Sequence, residues 1–158
     1  MTDPEEYKAT LRRFASGVTV VTVMAADGVP HGMTASSFAS VSLEPPLILV
    51  CLAKSSRTRE LVLAGGSFAV NILAAGQQEV ARAFAERGTK PFATLSHRPG
   101  ANGSPLLDGT IGWLECSIHE VLEAGDHDIV VGRVDACGAL SGAPLIYHDR
   151  AYRSLNDS

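Results

Sequence analysis

Apolar residues recur along the chain with two different spacings, and the change from one to the other divides it into helices and strands. Near the N-terminus, Tyr7, Leu11 and Phe14 stand at helical spacing and share one face. Asp3 precedes them as a candidate N-cap, and Gly17 can end the helix. The sequence therefore predicts a first helix between residues 3 and 17.

Strand patterns begin directly after this helix. The run "VTVVTVMA" is rich in β-branched residues, and Asp27–Gly28 is a strong hairpin signal. A return strand begins near Val29 and ends at Glu44-Pro45-Pro46, because proline cannot donate to a strand ladder. The continuous apolar run "LILVCLA" then predicts a strand buried on both faces.

Two further helices flank another strand in the middle of the chain. The first, "KSSRTRELVLAGG", can be capped by Ser55 or Ser56 and ended by Gly65–Gly66. The strand is "SFAVNIL", and the second helix is the amphipathic "GQQEVARAFAERG". From Thr89 to Gly109 the pattern dissolves into Pro, Gly, Asn and Ser, which predicts a long loop.

The C-terminal third returns to strand patterns. In "WLECSIHEVLE" the residues Leu114, Cys116, Ile118 and Leu122 alternate with polar ones, which predicts a half-buried strand. The turn "AGDHD" leads into "IVVGRVDACGAL", and "PLIYHDRAYRSL" closes the pattern. Six or more strands joined mostly by hairpins, with few helices, predict an antiparallel β-barrel with helices packed outside.

The composition and charge exclude some classes of partner and location but do not indicate a function. The 158 residues suit a single domain, 1–158, and the net charge of −4 without a basic cluster argues against nucleic acid and anionic membranes as partners. No apolar run reaches membrane-spanning length, and the acidic N-terminus lacks a signal-peptide pattern, so we expect a cytoplasmic protein. Cys51, Cys116 and Cys137 are interpreted as three buried, reduced thiols, and no metal site is expected.

The stretch Lys54–Thr58 is a candidate anion site. It lies where a strand ends and a helix begins, so unpaired backbone N–H groups, two serine hydroxyls and two cations surround one point. A phosphate group would suit this arrangement. The alternative is an ordinary helix cap with solvated basic residues.

A second candidate is "GMTASSFAS", residues 32–40, which is crowded with small and hydroxylated residues between two core-like strands. Small residues let a backbone approach a flat ligand closely, and N–H and hydroxyl groups can bond the polar edge of a heterocycle. The alternative is a strand crossing a tight barrel corner. Because consecutive strands are usually neighbours, this stretch and Lys54–Thr58 could flank one cleft.

Histidines give weaker signals. His127 lies between two acids in "GDHD", where a solvated turn is the alternative interpretation, and His148 with Tyr152 is similarly ambiguous. No nucleophile motif, zinc motif, dinucleotide fingerprint or P-loop is present. If the protein is an enzyme, its hard chemistry therefore belongs to a cofactor.

Several motifs taken together resemble the short flavin reductases, the NAD(P)H-dependent reductase components of two-component flavin-dependent monooxygenases. The resemblance runs from Leu11 to Arg153, and its segments are "RRFASGVTVVTV", "GMTASSFASVSLEPPLILVCL", "KSSRTREL", "FAVNIL", "AFAERGTKPF", "GDHDIVVGRV" and "PLIYHDRAY". It implies a split β-barrel of the flavin-binding type, and a homodimer with flavin near the subunit interface. The implied reaction is reduction of free FAD or FMN by NADH for a partner monooxygenase. NADH is favoured over NADPH because no Arg/Lys cluster for a 2′-phosphate stands out in the sequence.

The resemblance also implies site residues. The isoalloxazine would meet Thr34, Ala35, Ser36 and Ser37 at its polar edge, largely through backbone, and would lie over Cys51 and Leu52. The flavin phosphate would be held by Ser55, Ser56 and Thr58, with Arg57 adding charge, and Phe84 and Phe92 would border the flavin. The nicotinamide would contact His127 as the catalytic residue, in a pocket bordered by His148, Arg150 and Tyr152.

Two alternatives stay open at this point. One is a related split-barrel flavoprotein that keeps its flavin tightly bound and reduces another small substrate. The other is a non-enzymatic flavin-binding module.

Overall fold

A computed structural model of the chain describes residues 1–155; residues 156–158 of the predicted domain lie outside the described part. The helices are α1 (Pro4–Leu11), α2 (Arg57–Gly65), α3 (Gln78–Ala85) and a 3₁₀ turn (Pro91–Ala93). The strands are β1 (Ser16–Gly17), β2 (Thr19–Met24), β3 (Pro30–Ala35), β4 (Phe38–Leu43), β5 (Pro46–Ala53), β6 (Ser67–Ile72), β7 (His97–Pro99), β8 (Pro105–Leu107), β9 (Gly112–Ala124), β10 (His127–Ala139), β11 (Leu145–His148) and β12 (Ala151–Ser154). Within these residues, no helix is long and apolar enough to span a membrane.

The main sheet has seven antiparallel strands in the order β3-β2-β6-β9-β10-β5-β4. Its two edge strands, β3 and β4, follow each other in the chain with only Ser36 and Ser37 between them. Six strand spacings in a flat sheet would separate the edges by roughly 29 Å, whereas the connection reaches at most about 11 Å. The sheet must therefore roll up until its edges approach each other at this corner.

The rolled sheet does not close, because β3 and β4 are not paired with each other in the described part of the chain. The antiparallel sheet and the few helices confirm the predicted fold class, mainly antiparallel β with a few flanking helices. The core inside the roll consists of Val21, Val23, Ala35, Ile48, Val50, Leu52, Val62, Phe68, Val70, Cys116 and Val130. A second apolar cluster lies under α3 and the small sheet β1-β11-β12, and it consists of Val18, Val20, Leu73, Ala81, Phe84, Leu107 and Leu145.

The first helix differs from its prediction. Asp3 caps it as expected, but it ends at Leu11, and Gly17 belongs to β1. No residue of α1 is buried, and Phe14 beyond its end is 78% exposed. The helical spacing therefore marks an apolar face that this chain does not cover, rather than a face packed on the core.

Two further predictions also need correction. β5 is buried on one face only: Ile48, Val50 and Leu52 face the core, and the residues between them are half-buried on the outer face. The segment 89–109 is not one loop, because it contains the β7–β8 hairpin, and Leu106 and Leu107 in that hairpin are buried. The apolar pair after Pro105 drives this hairpin into the core.

The β9–β10 hairpin accounts for the other differences. The register skips His119, and every residue from His119 to Ala124 is exposed; this includes Leu122, which was predicted to be buried and is 45% exposed. Cys137 is exposed because it shares the outer face of β10 with Arg133 and Asp135. Of the three cysteines predicted to be buried, only Cys116 is; burial raises the pKa of its thiol to about 12.

A glycine in the middle of β10 gives a test of the packing. A Cβ at Gly132 would lie 2.7 Å from Cζ of Phe68 and 3.0 Å from Cβ of Cys116. We expect Gly132→Ala to lower the free energy of unfolding by about 1–3 kcal/mol, because overpacking forces the neighbours to shift. Gly65→Ala is the control, since nothing lies near its Cβ position, and it should raise stability by about 0.4–1 kcal/mol. Urea unfolding measures both, and equal effects would contradict the described packing.

Candidate active site

The corner between β3 and β4 is the meeting point of the two sheet edges. β3 pairs only with β2 and β4 only with β5 in the described structure, so each leaves one side of its backbone unpaired. Ser36 and Ser37 are exposed at the corner, and Cys51 of β5 donates its N–H to the Ser37 carbonyl at 3.1 Å. Unpaired backbone groups at a sheet edge are ready donors and acceptors for a ligand.

The hydroxyl groups near this corner are used by the protein itself. Thr34 donates to the Ala81 carbonyl of α3 at 2.6 Å, and Ser37 donates to the Cys51 carbonyl at 3.0 Å. Ala35 is buried, and its carbonyl accepts a bond from Thr19 at 2.7 Å. The corner therefore offers main-chain groups on a rigid support, which is the way the flavin edge was predicted to be bound.

A cleft of about 490 Å³ opens beside β3. It brings together residues that are distant in sequence and were predicted to bind cofactor, namely Thr34, Ser55, Ser56, Arg57, Thr58 and Phe84. It also contains residues that sequence reasoning missed, namely His31, Met33, Ala85, Glu86, Arg87, Gly88 and Lys90. The missed residues lie largely in "AERGTK", whose clustered cations were the available signal.

The start of α2 forms one end of the cleft. Ser56 is the N-cap, and its hydroxyl accepts a bond from the Arg59 N–H at 3.3 Å. The N–H groups of Arg57 and Thr58 have no partner within the helix, as at any helix start. Thr58 is 3% exposed yet lines the cleft. These N–H and hydroxyl donors form a suitable anion site.

Positive charge dominates the rim. Arg57, Arg87 and Lys90 line the cleft with one acid, Glu86, although Arg57 also pairs with Glu60 at 2.8 Å. Lys90 donates to the carbonyls of Phe84 and Glu86 and so fixes the segment after α3 against the helix end. Burial lowers the pKa of Lys90, and the nearby Glu86 partly opposes this effect.

An aromatic wall closes the cleft on the α3 side. Phe84 is almost fully buried and packs on Gly32, where a Cβ would lie 3.0 Å from the Phe84 ring. Phe92 does not line the cleft; it packs edge-on against Phe84, with ring centroids 5.1 Å apart. Glycine at position 32 thus lets the Phe84 ring approach β3 closely.

His127 lies beside this cleft through strand pairing. It is the first residue of β10 and pairs with Ala53 at the end of β5, directly before the Lys54–Thr58 segment. The Lys54 N–H donates to the Asp126 carbonyl at 2.9 Å, which fixes the two segments together. Nδ1 of His127 lies 2.7 Å from Oδ1 of Asp126, and this bond lowers the pKa of that carboxyl.

The other residues predicted for NADH belong to the C-terminal part of the chain. Arg150 borders a second cavity of about 500 Å³ together with Ser36 and Ser37, which were predicted for the flavin edge and do not line the cleft. The remaining lining residues of this cavity are Lys8, Leu11, Arg12, Phe14, Ser16, Tyr147 and Asp149. Tyr152 packs against Tyr147, and Arg82 lies over its ring, 5.5 Å from the centroid. His148 and Tyr152 lie in the small sheet and Arg150 lies in the turn between β11 and β12, whereas His127 begins β10 of the main sheet.

Cys51 and Leu52 have opposite orientations. Cys51 is half-buried on the outer face of β5 beside Ser37. Leu52 is fully buried in the core, so only its main chain can reach a ligand.

Comparison with known proteins gives this geometry its context. The family described as "Flavin reductase like domain" matches residues 11–156. The chain is 48% identical to a probable flavin reductase of Rhizobium meliloti over 85% of its own length, but it spans only 43% of that relative. It is 35% identical to the flavin-dependent monooxygenase reductase subunit HsaB of Mycobacterium tuberculosis, over 97% of this chain and 83% of that protein.

A solved structure of a flavin-reducing enzyme is also similar to this chain. The NADH:FAD oxidoreductase SgcE6 of Streptomyces globisporus, in complex with NAD and FAD fragments, superposes with a TM-score of 0.93 at 36% identity, covering 99% of this chain and 97% of that one. The matched region includes the corner, the cleft and His127. The chain therefore belongs to the family of flavin reductase like domains.

Proposed function

We propose that this protein transfers hydride from NADH to free FAD or FMN and supplies the reduced flavin to a partner flavin-dependent monooxygenase. The observation that carries the proposal is the cleft in which the β3 edge meets the start of α2, with His127 beside it. A monooxygenase partner is supported by relatives named as reductase subunits of such systems. NADH and FAD are supported by the name of the SgcE6 structure.

The residues of the cleft fit a flavin. Hydroxyl and N–H donors at the start of α2 suit a phosphate, and Phe84 with Met33 gives the cleft apolar surface for a ring. The unpaired backbone of the Thr34–Ser37 corner offers donors to the N1–C2=O edge of the ring. The cleft is rimmed by cations, which suits an anionic ligand.

The chemistry of the step belongs to the two substrates: NADH supplies the hydride and the flavin accepts it at N5. The backbone donors at residues 34–37 stabilise negative charge that develops at the flavin edge, because they are already oriented by the β2 and β5 contacts. His127 orients the nicotinamide and needs no proton transfer to do so. Asp126 holds the His127 ring in place by the bond to Nδ1.

The proposal is tested by following NADH consumption with added FAD, FMN or riboflavin, with NADPH run alongside. We expect turnover that depends on added flavin, and a protein that leaves gel filtration colourless. A protein that stays yellow through gel filtration and turns over without added flavin would favour the tightly bound flavoprotein. A folded protein with no turnover on any flavin would favour the binding module.

We also propose that the protein is a homodimer. The apolar face of α1 and the edge strand β4 expose Tyr7, Leu11, Phe14, Val41 and Leu43, the last of them 90% exposed. An uncovered apolar edge strand is an aggregation hazard, so a second copy of the chain is its expected cover.

This proposal gives a solution prediction. Leu11→Glu combined with Phe14→Glu should weaken dimerisation at least about 100-fold, because two charges would be buried without partners at the interface. Both side chains are exposed in the single chain, so folding should be unaffected. Leu140→Glu, at a residue 56% exposed directly after the C-terminal end of β10, is the control. Sedimentation velocity measures the effect, and a monomeric native protein or a dimeric double variant would contradict the proposal.

A further inference from the structure

Asp128 is a buried carboxylate directly after His127. Its side chain is 1% exposed, and Oδ2 accepts a bond from Nε of Arg59 at 2.7 Å and lies 2.5 Å from Nη2. The other oxygen, Oδ1, is buried and has no hydrogen-bond partner among the described residues. A buried ion pair with an unsatisfied oxygen is weak evidence for stability, so this pair calls for another explanation.

Arg59 connects that carboxylate to the anion site. It lies in the first turn of α2, and its main-chain N–H donates to the N-cap hydroxyl of Ser56. Its side chain crosses to Asp128, which is 69 residues further along the chain. One residue therefore joins the loop predicted to hold phosphate to the strand that carries His127.

Strand pairing with Ala53 and Ala124 holds the backbone of His127, and the other connections between this place and the Lys54–Thr58 segment are weaker. Lys54 gives one backbone bond to Asp126, and its side chain lies 3.9 Å from Glu123 in an exposed pair. Exposed ion pairs contribute little, and strand ends open more readily than strand centres. His127 is the last paired residue before an exposed turn, and Asp128 is the buried residue nearest to it.

We propose that the Arg59–Asp128 ion pair is a positioning device that holds His127 at a fixed place beside the cleft. The proposal rests on the proposed role of His127 at the nicotinamide. Neither Arg59 nor Asp128 lines the cleft, so the pair acts through His127 and does not touch the substrates. α2 keeps its own supports, the Ser56 cap and the buried Val62, when the pair is broken.

The test is Asp128→Asn, assayed well below its melting temperature. We expect kcat with NADH to fall about tenfold, because a small misplacement of an orienting group slows the chemical step. The flavin dissociation constant should change less than about twofold, since the anion site stays capped. Glu123→Gln, which removes the exposed pair on the same hairpin, is the control and should match the native protein.

Two additional variants make the result decisive. Arg59→Met with Asp128→Asn leaves no uncompensated charge, so it folds even if the single variant does not, and it should show the same loss of kcat. Arg59→Lys keeps the charge but loses one of the two guanidinium contacts, so kcat should fall less than in the double variant. A lowered Tm with unchanged kcat in the Asp128→Asn protein would overturn the proposal, as would equal losses of kcat and flavin affinity. His127→Ala separates the two claims: if it also leaves NADH kinetics unchanged, the proposed role of His127 has failed instead.

Discussion

Replacing His127 with alanine should lower kcat/KM for NADH by roughly 100-fold while the dissociation constant of the flavin changes less than about twofold. The reason is position: His127 lies at the end of β10 beside the cleft but outside its lining, with its ring held by Asp126. Loss of the ring would leave the nicotinamide free to turn, so fewer encounters would have the geometry needed for hydride transfer. Steady-state NADH kinetics and a flavin titration measure the two quantities separately.

His119→Ala is the matched control. His119 is an exposed histidine on β9 of the same hairpin, at the bulge that the β10 register skips. Its replacement should leave both quantities unchanged. A collapse of flavin affinity with normal NADH kinetics in the His127→Ala protein would show that His127 serves the flavin and not the nicotinamide.

The second large effect concerns the anion site. Ser56→Ala combined with Thr58→Ala should weaken FMN binding about 100-fold and riboflavin binding less than about threefold. Each hydroxyl would donate to an ionised phosphate, that of Ser56 in place of its bond to the Met33 sulfur, and hydrogen bonds to charged groups contribute about 1.5–3 kcal/mol each. Riboflavin carries no phosphate, so it cannot lose these bonds.

Ser56 also caps α2, so part of any loss could come from the helix. Removing a helix cap lowers stability by about 1 kcal/mol. Asp3→Ala is the control, because it removes the cap of α1 away from the cleft and should leave both ligands unaffected. Equal losses for FMN and riboflavin in the double variant would place the phosphate elsewhere.

Local signals in the sequence predicted most elements correctly, because each depends on a few neighbouring residues. Asp27–Gly28 forms the predicted turn with Gly28 at φ +81°, and Gly66 ends α2 at φ +75°. Ser56 was one of the two predicted caps and is the cap observed. These residues have conformational preferences that tertiary packing does not override.

Features set by non-local pairing could not be predicted in the same way. Leu122 is exposed because the end of the β9–β10 hairpin from His119 onward lies outside the core, and Cys137 is exposed because it lies on the outer face of β10; no residue pattern announces either. The apolar face of α1 looked like a core face, because a periodic pattern does not say which molecule covers it. β5 was likewise predicted to be buried on both faces, because a continuous apolar run does not say how much of each face the chain covers.

The candidate site depends partly on local sequence signals and partly on non-local strand pairing. Thr34 and Ser55–Thr58 lie along one cleft, as expected, but not because their strands are neighbours: β3 and β5 lie at opposite sides of the sheet order. They meet because the sheet rolls until its edges approach. The placement of Tyr152 in the small sheet and of His127 in the main sheet likewise follows from topology and not from any local motif.

The measurement that tests the central claim most directly is a crystal structure of the protein with FMN. The account predicts the phosphate within hydrogen-bond distance of Ser56 and Thr58, with the polar edge of the ring against the main chain of Thr34–Ser37. A flavin whose phosphate lies away from Ser56 and Thr58, in the second cavity between α1 and the β11–β12 turn, would contradict it.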